Sequence, residues 1–130
     1  MTNEIIQRIE TLINNTRDDK IIWKRINQIN YEWTNSVTRN YQDGAERLIS
    51  NTDINFSIQK TEGNYLLVGH QVRYHFNMVD SKNKETLLNL ESHTEPNEEL
   101  VRILERLFNE VTDQHNRKVL LYLDKLVEPL

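Results

Sequence analysis

The chain has 130 residues, a formal charge of −4 and no cysteine. That length is the common size of one domain and allows about two-thirds of the unfolded surface to be buried, while the missing thiols exclude disulfides, thiolate metal sites and cysteine nucleophiles and point to a reducing, cytoplasmic setting. Glu4, Arg8 and Glu10 interrupt the N-terminal isoleucines, unlike a signal peptide, and the apolar runs, about five residues long, fall far short of the ~20 that a membrane span needs.

Ile5, Ile6, Ile9, Leu12 and Ile13 recur at helical spacing, which predicts a helix from Thr2 or Asn3 to about residues 14–18, where Asn, Thr and Asp side chains compete with backbone hydrogen bonds. Ile21 and Trp23 alternate with polar neighbours and suggest a short strand over 21–26. Ile26, Ile29, Trp33, Val37, Tyr41, Ala45 and Leu48 then keep a spacing of three or four, which predicts a mostly helical segment over 31–50. Gly44 inside it costs about 1 kcal/mol relative to alanine, so Asp43-Gly44 is a candidate break.

The centre reads as an antiparallel meander over 53–91. Ile54, Phe56 and Ile58 alternate with Asn55, Ser57 and Gln59, and a glycine-containing turn is expected over 61–64. Leu66, Val68, His70, Val72, Tyr74, Phe76 and Met78 hold a period of two, as one strand or as two joined by a bulge at Gly69. A turn over 80–84 leads to a third strand carrying Thr86, Leu88 and Leu90. Thr94 as N-cap, Pro96 and three early glutamates open a helix with the stripe Leu100, Val101, Leu104, Leu107, Phe108 and Val111. After a polar break over 113–117, Val119, Leu120, Leu123, Leu126 and Val127 form a second stripe. The expected fold is one α+β domain spanning 1–130, with two C-terminal helices covering one face of the meander, since three strands alone are marginal.

Catalytic chemistry has no positive signal. His70 and His75 differ by an odd number and point to opposite faces of one strand, so they cannot share a metal; His70 falls on the apolar phase and is expected in the core. His93 and His115 are expected in turns beside the first C-terminal helix. Asp80-Ser81-Lys82 has a nuclease-like spacing but sits in a turn without a second acid, and the three glycines, Gly44, Gly63 and Gly69, leave no phosphate loop. No cofactor, metal or catalytic residue is expected.

Two surfaces are candidates for a partner. Arg73, His75 and Asn77 project together, opposite Tyr74 and Phe76, as a polar stripe that Gln71 extends; a plain solvated sheet face fits the same row. Trp23, Tyr31, Trp33 and Tyr41 interleave with Lys24, Arg25 and Arg39, a mix found at protein interfaces and at single-strand stacking sites, and also in cores. Acidic residues outnumber basic ones over 81–130, which disfavours general nucleic-acid binding.

This layout of N-terminal helix, Lys20-Ile21-Ile22-Trp23-Lys24-Arg25, meander, and the stripe from Leu100 to Val111 resembles small α+β proteins of low-GC bacteria, their phages and mobile elements, with 27–52 resembling an insertion. The resemblance implies regulatory or inhibitory binding, including interference with host defence, and carries no catalytic residues with it. The expected role is a non-catalytic protein-binding module in the cytoplasm, with another protein as partner. A sequence-tolerant nucleic-acid binder and an enzyme with a dispersed polar site are the alternatives.

Overall fold

The first isoleucine stripe folds as its spacing predicts. The computed structural model describes residues 1–26, 30–42, 45–81 and 83–128, and for 30–42 and 45–53 the backbone alone. It places Thr2–Arg17 in helix α1, with Ile6, Ile9 and Ile13 on the buried face. Five strands follow: β1 (Lys24–Arg25), β2 (Asn30–Gln42), β3 (Ala45–Tyr65), β4 (Gly69–Asp80) and β5 (Glu85–Glu91). They form one antiparallel sheet in sequence order, and helix α2 (Glu98–Val127) closes the described chain. The architecture is α+β, as the periodicities predict.

Five local expectations need correction. The segment 31–50 is strand, not helix: β2 pairs with β3 from Asn30↔Gln59 to Gln42↔Ala45. The apolar positions Trp33, Val37, Tyr41 and Ala45 are four apart, and four is a multiple of two, so the same spacing serves a strand as well as a helix. The aromatic and β-branched content and the Asp43-Gly44 dipeptide, a strong hairpin signal, were the better guides; those two residues lie outside the described ones. The early strand is confined to Lys24–Arg25.

The β3–β4 connection is displaced as well. Thr61 to Asn64 remain in β3, Tyr65 pairs with Gly69, and residues 66–68 make the turn. Finally, the two C-terminal helices are one. Residues 113–117 contain neither proline nor glycine, so polarity alone does not break the helix there, and α2 runs unbroken for 30 residues. Its N-cap is Asn97 rather than Thr94, with Asn97 Oδ1 accepting from Leu100 N at 3.1 Å.

The core lies between the sheet and the two helices. Ile58, Phe76 and Leu90, in one cross-strand row, meet Ile6, Ile9 and Ile13 of α1 and Leu100, Ile103, Leu104, Leu107, Phe108 and Val111 of α2. The helices run parallel: Glu10 pairs with Arg106 and Arg17 with Glu110. Tyr74 stacks at a tilt on Phe108, with 5.7 Å between centroids. An apolar cleft of about 370 Å³ runs between α1 and the sheet past Ile5, Leu12, Phe56, Met78 and Leu88. The row Phe56–Met78 continues to Trp33 by register, and the Trp33 side chain is outside the described set.

Candidate functional site

Because β4 alternates, burying Tyr74 and Phe76 turns Arg73, His75 and Asn77 to the sheet face opposite the helices. The register sets Thr61 opposite Arg73, Gln59 and Glu91 on either side of His75, and Ser57 and Asn89 on either side of Asn77. A shallow cavity of about 150 Å³ opens on this face among Gln59, Thr61, Tyr65, Arg73, Glu91 and His93. The three residues expected to share a polar stripe are thus brought together.

Within that face the contacts are specific. The Arg73 guanidinium lies 3.4 Å from the centre of the Tyr65 ring, close enough for cation–π attraction, and Arg73 Nε donates to Gln71 Oε1 at 3.2 Å. His75 Nε2 is hydrogen-bonded to the Asn89 side-chain oxygen. His93 Nε2 stands 3.7 Å from Glu91 Oε2. Asn77 Oδ1 is buried without a partner among the described residues. The ensemble offers a stacked aromatic and cation, several amide and hydroxyl groups, and one carboxylate, Glu91, at the margin.

The same face ends in an apolar turn that the periodicity concealed. Leu66 is 91% exposed and Leu67 97% exposed, and Val68 is also open to solvent. Leu67 has φ of +75°, a conformation that costs an L-residue with a branched side chain about 1–2 kcal/mol. In sequence the signal was present: four apolar residues in succession, Tyr65 to Val68, occupy both phases of the alternation and cannot all face the core.

The aromatic and basic segment is placed differently. Trp23 is 4% exposed, with Nε1 donating to Thr16 Oγ1 at 3.0 Å, so its ring is a core element and not a surface anchor. A tryptophan beside basic residues reads the same whether it is wet or covered, and here its indole is held at the end of α1. Arg25 approaches His115 on α2, with 3.4 Å between Nη1 and Nε2. Lys24 is exposed at the sheet edge. Trp33, Arg39 and Tyr41 lie on β2, in register with Phe56, Leu48 and Glu46, and their side chains are outside the described residues.

His93 lies in the turn over 92–94 as expected, while His70 and His115 move from their expected places. His70 is exposed, not in the core, and its Nε2 contacts Glu62 Oε1 at 3.0 Å, because the helices do not reach the end of β4 that holds it. His115 sits within α2; burial, with Arg25 and then Lys118 close by, lowers its pKa below 6.5. Tyr74, on the inner face, has its pKa raised above 10.0 by burial and by Glu105 and Glu62. Among the described residues no helix is long and apolar enough to cross a membrane, and none of their His, Asp and Glu side chains gather in threes fit to hold a metal. No protein-family model, curated protein or solved structure matches the chain, so the geometry of this sheet face is the ground for a functional reading.

Proposed function

We propose that the chain is a non-catalytic protein-binding module that acts by stoichiometric occlusion of its partner, as an inhibitor or regulator of the kind encoded by phages and mobile elements. The observation that carries this reading is the turn over 66–68. Three exposed apolar side chains, one held at a costly positive φ, stand beside the Tyr65–Arg73 stack. A protein that only needed to close a hairpin would gain stability from glycine or asparagine at that position. Keeping leucine there sets contact surface ahead of stability.

The chemistry fits a protein partner. Aromatic and arginine side chains dominate the energetics of protein interfaces, surrounded by groups that exclude water. The polar rim of Gln59, Thr61, Gln71 and His75 supplies hydrogen bonds that fix orientation. A nucleic-acid reading is weaker, because Glu91 lies on the face and the Trp23 ring is unavailable for stacking.

The test is affinity purification of the full chain from its native host, followed by gel filtration and mass spectrometry. The wild type is expected to hold one protein at a fixed ratio, and Arg73→Ala and Leu67→Gly each to weaken that complex at least tenfold while circular dichroism stays unchanged. Unaltered binding by both variants defeats the reading. So does a captured nucleic acid whose affinity falls steeply with salt.

A further inference from the structure

The distal half of α2 buries none of its side chains, and its tie to the rest of the fold is Arg117, which reaches Arg17 O and Asp19. From Asn116 to Val127 every residue is exposed, including Val119, Leu120, Leu123, Leu126 and Val127. Residues 115–127 extend about 20 Å at the rise of an α-helix. At 100° per residue their apolar stripe is turned roughly 140° from the stripe of Leu100 to Val111 that covers the sheet. It is therefore not a continuation of the core-facing stripe but a second apolar face, aimed elsewhere.

We propose that this face pairs with the same face of a second copy of the chain, the two helices running antiparallel. The first argument is area. With Tyr122 at its edge the stripe exposes on the order of 650 Å², within the ~600–1,000 Å² per partner that a specific interface buries. A soluble monomer rarely leaves an apolar patch of this size uncovered.

The second argument is charge. Arg117 and Asp124 lie on one edge of the stripe, seven residues apart and nearly symmetric about Leu121. In an antiparallel pair like edges meet, so Arg117 of one copy faces Asp124 of the other, twice. In a parallel pair that edge would meet the edge of Tyr122, with Lys125 turned to the back of the helix beside it, and Asp124 would gain no cation. Arg117 also holds Asp19 at 3.2 Å, and a guanidinium has donors enough for both. The stripe is thus complementary to itself in one orientation.

The experiment is sedimentation equilibrium of the full chain from 1 to 100 μM, as ranges on the order usual for such interfaces. A mass near twice 15.6 kDa is expected for the wild type, and a monomer for Leu123→Asp/Leu126→Asp, with an unchanged circular dichroism spectrum because neither residue is in the core. Since the chain has no cysteine, single replacements report orientation: Leu120→Cys should form a disulfide-linked dimer on air oxidation and Leu126→Cys should not. A monomeric wild type throughout the range, a dimer that persists in the double variant, or efficient linkage through Leu126→Cys overturns the proposal. Binding of a monomeric wild type to anionic lipid vesicles through this stripe overturns it too.

Discussion

Gln114, in the middle of α2, and Trp23, just before β1, are joined through one carboxamide: Trp23 N donates to Gln114 Oε1 at 2.9 Å, while Gln114 Nε2 donates to Ile21 O at 2.6 Å and Thr16 O at 3.0 Å. The end of α1, the entry to the sheet and the midpoint of α2 are held by this one side chain. A buried amide is costly unless satisfied, and here both of its ends are.

Removing it should therefore be expensive. Gln114→Ala leaves Trp23 N and Ile21 O without their partner, and about 2–4 kcal/mol of stability should be lost. Gln114→Leu, which keeps the volume and drops the hydrogen bonds, should do little better. Urea denaturation measures both, and a loss under about 0.5 kcal/mol in either variant would show that the network is not holding these elements together.

Leu67→Gly separates stability from binding. Glycine accepts φ of +75° without strain and should stabilise the fold by up to about 1 kcal/mol, offset in part by its greater freedom when unfolded. The same change deletes the most exposed side chain of the turn and should weaken partner binding. If thermal unfolding shows the variant distinctly less stable, Leu67 is packed in a way its exposure does not reveal, and the argument from strain fails.

His115 should titrate below 6.5. Burial opposes its charged form first, and Arg25 and Lys118 add to that. The unfolded chain then binds a proton more readily than the folded one near pH 6, so the stability linked to this group is complete above 6.5 and falls as pH drops through the folded midpoint. Proton NMR of the imidazole should show the midpoint rising toward 6.5 in Lys118→Ala and further in Arg25→Gln. A midpoint that ignores both substitutions would leave burial as the whole cause.

Legibility followed how many faces an element has to satisfy. The α1 stripe and the alternation of Ile58, Tyr74, Phe76 and Leu90 were readable because each element has one buried face and one wet face, and the wrong phase would place isoleucine in water. The segment 31–50 misled because a spacing of four is compatible with both periods. The polar row of Arg73, His75 and Asn77 was visible, whereas the run Tyr65 to Val68 showed only that some of it must face away from the core, not that residues 66–68 form an exposed turn. Apolar residues are assigned to a core by default, and exposure at a hairpin tip is set by how far β3 and β4 extend beyond the helices.

The pattern of residues alone determined that this chain is α+β, which face of β4 is oily, and that the C-terminal segment carries two apolar stripes, because amphipathic periodicity is a local property of the chain; that one helix carries both is a finding of the structure. Tertiary structure decided where the helices stop covering the sheet. That boundary made His70 a surface residue and Trp23 a core residue, left Leu67 in solvent and exposed the distal half of α2, since burial depends on what another segment brings against a side chain and not on the side chain's own neighbours in sequence.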